Sequence, residues 1–229
     1  MVIIRSTAFA IYFFLLTLIM GVLAFPLRFF AKQHALAYAK YWAHLTLLGL
    51  EKICHISLQL HGQEHLLNDR PFIIASQHQS AYDTLVWMNL LKRPAYVMKQ
   101  ELTRIPLVGP MLLLSGMIPL DRKGGIKALK HLTQQCRNAI NDSRQIIIFP
   151  EGTRTKIGQK VKLHSGAVAV ASQLKLPITP VSTNSGIYWP KRSFLKYPGT
   201  IHIIVHKPSF TVENRKHVMQ YIEDCWSKF

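Results

Sequence analysis

The chain of 229 residues carries 28 Lys+Arg against 11 Asp+Glu, a formal net charge of +17, yet 49% of it is hydrophobic and only 17% charged. That balance excludes a disordered polycation, which would be poor in apolar residues, and leaves enough chain for one large domain or two small ones. A pI near 10.0 joined to a positive mean hydropathy of +0.13 favours an anionic membrane surface over nucleic acid, whose binders are basic but hydrophilic.

At the N-terminus, residues 6–27 contain no charged side chain and are rich in Phe, Leu and Ile. A span of about 20 apolar residues crosses the hydrocarbon core, so this segment is expected to enter a bilayer. Arg28, Lys32 and Lys40 behind it outweigh Arg5 before it, which by the positive-inside rule sets the rest of the chain on the cytoplasmic side of an inner membrane. A second apolar stretch, 35–50, carries the interfacial types Tyr38, Tyr41, Trp42 and His44. Together the two form a helical hairpin that either spans the bilayer or enters one leaflet. A cleaved signal peptide would have a shorter apolar run and a small-x-small site, but the candidate near Ala24 runs into Phe25-Pro26. A buried core helix is the other alternative, and the length of the run with the absence of any polar face weighs against it. The expected division is a membrane-associated helical segment, 1–52, and an α/β domain, 53–229, with no linker or repeat inside the latter.

Beyond the hairpin, short apolar runs alternate with runs of helical period. Ile56, Leu58 and Leu60 alternate with polar residues, and further strands are expected at 71–76, 95–98, 116–120, 145–149, 177–181 and 201–205. Helical spacing marks 82–91, the series Ile126, Leu129, Leu132, Cys136 and Ile140, then 165–174, and Val218, Ile222 and Cys225. The alternation implies an α/β fold, a mixed and mostly parallel sheet flanked by helices on both faces, with an N-terminal hydrophobic helical membrane anchor. Active sites in such sheets gather beyond the carboxyl ends of strands, here after Ser76, Leu120 and Phe149. Cys54, Cys136 and Cys225 are scattered with no CxxC spacing, which argues against a disulfide framework or a Cys-rich zinc site and for a reducing compartment.

The loop after Ser76 reads Gln77-His78-Gln79-Ser80-Ala81-Tyr82-Asp83. With His78 in the loop and Asp83 in the first turn of the next helix, the carboxylate can hold one ring nitrogen and leave the other to take a proton from a hydroxyl. The plain alternative is that Asp83 caps the helix and His78 is a surface histidine. The loop after residue 148 reads Phe149-Pro150-Glu151-Gly152-Thr153-Arg154. Arg154 can hold a phosphate through its planar fork, Gly152 permits a turn, and Glu151 can accept hydrogen bonds from a polyol or orient a cation. Alone, the hexapeptide could equally be a turn with a surface ion pair.

Taken together, these two loops resemble the first (NHxxxxD) and third (FPEGTR) motifs of the 1-acylglycerol-3-phosphate acyltransferase family. Lys99-Gln100-Glu101-Leu102, Ile105-Pro106, Gly109, Gly116 and Asp121-Arg122 resemble its second motif, and Leu176-Pro177-Ile178-Thr179-Pro180-Val181 its fourth. The resemblance spans about residues 56–206. It implies transfer of a fatty acyl group from acyl-CoA or acyl-carrier protein to lysophosphatidic acid, with the bilayer as the other partner and no nucleic acid, cofactor or metal. It further implies His78 as general base, Asp83 as its orienting partner, and Glu151, Gly152, Thr153, Arg154, Arg122 and Lys99 as substrate-binding residues. The runner-up is another lysophospholipid or acyl acceptor. A rival of different class is a non-catalytic basic membrane-binding protein. Gln77 stands where the family has Asn, and is expected to be a structural hydrogen-bonder. Where many members carry Lys-x-Gly, this chain reads His164-Ser165-Gly166, so that His164 or Lys162 would have to serve.

Other features attract plainer readings. His61 and His65 are expected to lie in a solvated turn, and His202 and His206, an even number of strand positions apart, to be structural. The stretch 104–114 reads mostly as core, although in this family such a segment lies near the acyl tunnel. Lys191, Arg192 and Lys196, interleaved with Tyr188, Trp189 and Phe194, form either a solvated loop or a membrane-contacting patch, the latter favoured.

Overall fold

The computed structural model describes residues 1–67, 70–122, 124–159, 161–210 and 214–227. Helix α1 (Val2–Leu23), the single turn α2 (Leu27–Phe30) and helix α3 (Ala35–Cys54) open the chain. α1 and α3 pack antiparallel, and the polar groups caught between them find partners in each other: the Tyr12 hydroxyl donates to the Leu45 carbonyl (2.8 Å), Trp42 Nε1 to Thr17 Oγ1 (3.2 Å) and the Tyr38 hydroxyl to the Met20 carbonyl (2.7 Å). Such bonds matter in an apolar interface, where an unpaired polar group costs about 1–3 kcal/mol. Gly49 allows the close approach, because a Cβ there would run into the Tyr12 ring. The outward face of α1, with Ile4, Ile11, Phe14, Leu15, Ile19 and Val22, stays exposed. By length and composition the helix could cross a membrane.

Then follow β1 (Ile56–His61), β2 (Ile73–Ser76), α4 (Asp83–Leu90), β3 (Pro94–Lys99), α5 (Val108–Leu114), β4 (Ile118–Leu120), α6 (Gly125–Asn141), β5 (Gln145–Ile148), α7 (Gly166–Leu174), β6 (Ile178–Thr183), α8 (Ser185–Tyr188), β7 (Gly199–Val205) and α9 (Arg215–Trp226). The seven strands form one sheet in the order β1-β7-β6-β2-β5-β3-β4. Every pairing is parallel except β6 with β7. This is the mixed, mostly parallel α/β sheet the alternation predicted.

Period-two patterning separates its two faces. Phe72 and Ile74 point to one side, into a cluster with Phe9, Leu50 and Trp87, and Ile73 and Ala75 point to the other, beneath α6, α7 and α9. Phe72, Ile73 and Ile74 have no exposed surface, and each such side chain stabilises the fold by about 1.5–3 kcal/mol. Phe9 of α1 and Leu50 and Cys54 of α3 sit in the same cluster as the sheet residues, so hairpin and sheet share a core, and α3 runs two residues past the expected division at 52. The far end of the expected α/β domain, residues 228–229, lies outside the described residues.

α5 and α8 were not anticipated. Val108-Gly109-Pro110 opens α5, and neither helix is long enough to show a helical period. The strand order sets β5 and β6 on either side of β2. Residues following these three parallel strands therefore emerge together at one edge of the sheet.

Candidate active site

His78 stands in the loop leaving β2, and its Nδ1 lies 3.3 Å from Oδ2 of Asp83 in the first turn of α4. The same oxygen accepts the backbone N–H groups of Gln79 and Ser80, both at 2.8 Å. Asp83 thus does what each of the two sequence readings asked: it ties down the helix entrance and faces the imidazole. Burial leaves it 2% exposed. With Nδ1–H given to Asp83, His78 Nε2 is the acceptor, and it has no hydrogen-bond partner among the described residues. The ring lies on Phe149, centroids 4.2 Å apart at 22°. Gln77, as expected of a structural hydrogen-bonder, accepts the Thr183 N–H at the end of β6 through Oε1 (3.0 Å).

The loop leaving β5 is stapled to this one. Glu151 Oε2 accepts the His78 N–H (2.7 Å), its Oε1 accepts the Thr155 hydroxyl (3.0 Å), and the Thr155 N–H donates to the His78 carbonyl (2.8 Å). Burial pushes the Glu151 carboxyl up to about 8, against the opposing hydrogen bonds from Thr155 and His78. Both its oxygens are engaged inside the protein. That differs from the expectation that Glu151 meets a polyol or a cation, because the buried loop donors reach it first.

Gly152 adopts φ +68°, and a Cβ there would press on the His164 ring, 2.9 Å from Cδ2. Its carbonyl accepts from Arg122 Nη1. Arg122, Gly152 and His164 therefore meet on the open side of the loop. Arg154 is half-buried, and its guanidinium has no partner among the described residues. Thr153 and Lys99 are exposed, Lys99 at the carboxyl end of β3 opposite Leu120. Neither bonds to the other site residues.

An apolar cavity opens between α1, α3, α4, α5 and β3, walled by Met20, Gly21, Trp42, Met88, Tyr96, Leu107 and Met111. Its wall residue Tyr96 stacks with Phe149 (6.1 Å), the ring on which His78 lies. Leu107 holds φ +63° without being glycine; its carbonyl accepts from Arg28 Nη2 at 2.9 Å and its side chain abuts Gly21. The stretch 104–114 is thus partly core, through Gly109 and Met111, and partly cavity wall.

Ser185 was missed by the sequence reading. Its hydroxyl donates to the second Asp83 oxygen, Oδ1, at 2.6 Å, from a position 102 residues further along. Applying the carboxyl-end rule to β6 as well as to β2 and β5 would have singled it out. Lys196 departs from expectation too: it is buried, its ammonium donates to the Phe194 carbonyl (2.7 Å) and lies 5.1–5.6 Å from the Phe9, Trp189 and Phe194 ring centroids. It clamps the loop to α1. His61 bonds to His202 (3.1 Å), His65 to the Val205 carbonyl (2.9 Å) and His206 to Ser182 (2.9 Å), each a local structural pairing.

Residues 57–184 match the sequence model of the family described as Acyltransferase. The chain is 34% identical over 164 residues to the 1-acyl-sn-glycerol-3-phosphate acyltransferase of Pseudomonas aeruginosa, covering 72% of this chain and 63% of the relative. It is 29% identical over 177 residues to the chloroplastic enzyme of that name, LPAT1, from Arabidopsis thaliana, covering 74% and 47%. The matches thus span between about half and just under two thirds of these relatives' length. The fold resembles the crystal structure of the 1-acyl-sn-glycerophosphate acyltransferase PlsC from Thermotoga maritima, with a TM-score of 0.81 at 22% identity, over 100% of this chain and 95% of that one.

Proposed function

We propose, from the premise that the chain belongs to the acyltransferase family, that it moves a fatty acyl group from acyl-CoA or acyl-carrier protein to the sn-2 hydroxyl of 1-acylglycerol-3-phosphate, forming phosphatidic acid. The observation that carries this reading is an imidazole held by a buried carboxylate, linked through Phe149 and Tyr96 to an apolar cavity, with Arg122 on the Gly152 carbonyl and Arg154 in the neighbouring loop. His78 Nε2 takes the proton of the acceptor hydroxyl as its oxygen attacks the thioester carbonyl. Collapse of the tetrahedral intermediate breaks the C–S bond, and the imidazolium returns the proton to the departing sulfur. A thioester has a good leaving group, so alignment and proton transfer suffice, with neither a covalent enzyme intermediate nor a cofactor. The relatives, named as 1-acyl-sn-glycerol-3-phosphate acyltransferases, support lysophosphatidic acid as acceptor.

A phosphate monoester carries about −1.5 to −2 at neutral pH, which suits Arg154 and Arg122, with His164 beside them and Thr153 and Lys99 as outer contacts. Charged hydrogen bonds contribute about 1.5–3 kcal/mol, so Arg154→Ala should raise the acceptor KM by about 10- to 100-fold and change kcat little. An unchanged acceptor KM with a raised donor KM would reverse the assignment. The reading as a whole is tested by thioester release from the purified protein across acyl donors and lysolipids. Turnover confined to a different lysolipid would make the runner-up correct, and no release with any acceptor would leave a lipid-binding protein.

Residues 1–52 are proposed to hold the α/β unit, 53–229, on one leaflet. Phe9 packs edge-on against Trp189, Ser6 Oγ accepts the Lys196 N–H, and Gly21 abuts Leu107. These contacts bind α1 to the globular unit along its length, which supports a helix lying in the membrane surface over one that leaves the unit to cross. Exposed Ile187, Phe194 and Tyr197 with Lys191 and Arg192 extend that apolar face. Cations near an anionic surface contribute about 1 kcal/mol each. Replacing Lys191 and Arg192 with Gln should therefore weaken binding to anionic vesicles by about five-fold per charge and leave neutral vesicles unaffected. Equal loss on both would remove the electrostatic contact. The greater positive charge behind α1 than before it supports a cytoplasm-facing catalytic unit.

A further inference from the structure

Asp83 is 2% exposed, and each of its two oxygens is held by protein donors. Oδ2 is claimed three ways, by the Gln79 and Ser80 N–H groups and by His78 Nδ1, all within a single loop. Oδ1 has one donor among the described residues, the Ser185 hydroxyl at 2.6 Å, the shortest side-chain contact the carboxylate makes. Ser185 has no exposed surface. Its own N–H donates to Thr183 Oγ1 (3.1 Å), the Thr183 N–H to Gln77 Oε1 (3.0 Å) and the Gly186 N–H to Gln79 Oε1 (3.2 Å). The turn after β6 therefore grips the His78 loop at Gln77, Gln79 and Asp83 together.

From this geometry we infer that Ser185 is a positioning residue for acyl transfer, fixing the rotation of the Asp83 carboxylate so that Oδ2 stays aimed at His78. Two N–H groups converging on Oδ2 set where that atom sits but leave the carboxylate plane able to swing about it. A short bond at Oδ1, from an element anchored to the sheet, removes that freedom. The 3.3 Å His78–Asp83 separation is long for a charge-assisted pair, so it has room to shorten as the imidazole gains its proton, and only a carboxylate already in plane can follow it. Ser185 touches neither substrate nor the reacting atoms; it acts through Asp83.

The inference rests on the proposed His78–Asp83 mechanism, and a double-mutant cycle in the purified full chain separates the two. Ser185→Ala should lower kcat by about 10-fold, the scale of one buried hydrogen bond to a charged group, with both substrate KM values within about two-fold and an unfolding transition that remains cooperative. In an Asp83→Asn background, the same substitution should change kcat by less than about two-fold, because the group it acts through is gone. Ser185→Thr, which keeps the hydroxyl, should recover most of the lost kcat. If Ser185→Ala retains full kcat, or costs its full factor in the Asp83→Asn background, the positioning role is refuted. If Asp83→Asn and His78→Ala themselves turn over normally, the mechanism beneath it is refuted instead.

Discussion

His78→Ala should lower kcat for acyl transfer by about a thousandfold, the middle of the ~10²–10⁴ range that a positioned general base supplies, while the protein should still fold and still bind vesicles. The size follows from what remains at the site. Without the imidazole, neither carboxylate of the two loops is free to take its place: Asp83 is buried at 2% exposure and committed to Gln79, Ser80 and Ser185, and Glu151 to the His78 N–H and Thr155. Folding survives because the substitution strands no charge. Asp83 keeps three donors, and the backbone bond from residue 78 to Glu151 does not depend on the side chain. What is lost is the ring's contact with Phe149. The check is kcat in the thioester-release assay beside far-UV circular dichroism and vesicle flotation of the same preparation. Near-normal turnover would refute the general-base assignment.

Much of this architecture can be read from the chain because each central strand is short, apolar and bounded, as at Ile73–Ser76 and Gln145–Ile148, where every residue is buried. Amphipathic α6, with Leu132, Cys136 and Ala139 buried along one side, is legible for the same reason. Strand order is not written locally. That β6 lies beside β2 is decided by the whole packing, and with it the meeting of Ser185 and Asp83, which no spacing rule within either segment implies. Residue type also leaves side-chain direction open. Glu151 and Arg154 stand in one turn, yet the carboxylate is drawn inward by two buried donors while the guanidinium finds no acceptor among the described residues. Lys196 was grouped with Lys191 and Arg192 by sequence proximity, but three aromatic rings and a carbonyl supply a buried niche that its long stem can reach.

The inward turn of Glu151 leads to the second large effect, in which Ala and Gln at the same position behave differently. Glu151→Ala leaves the His78 N–H without its acceptor, at about 1–3 kcal/mol for a buried unsatisfied group, leaves the Thr155 hydroxyl only the longer contact to the His78 carbonyl, and frees the loop that carries the base. A shift of ~1 Å in a catalytic group costs about 10²-fold, so kcat should fall by about a hundredfold. Glu151→Gln should keep kcat within about five-fold: its amide oxygen can accept the His78 N–H, and its NH₂ can donate to Thr155 Oγ1, whose hydroxyl also reaches the His78 carbonyl at 3.3 Å. The carboxyl itself behaves like that amide over much of the pH range, since burial raises it from 4.5 to about 8. A raised carboxyl means that the folded state favours the protonated form. The stability this confers is complete below pH 4.5 and declines as pH rises through about 8, the unfolded chain having already released the proton. Thermal unfolding at pH 6 and pH 9 should therefore show the wild type losing more stability across that interval than Glu151→Gln, which has no proton to lose there. Parallel losses would mean the carboxylate is ionised throughout. A Gln variant as inactive as the Ala variant would mean that the charge meets substrate after all.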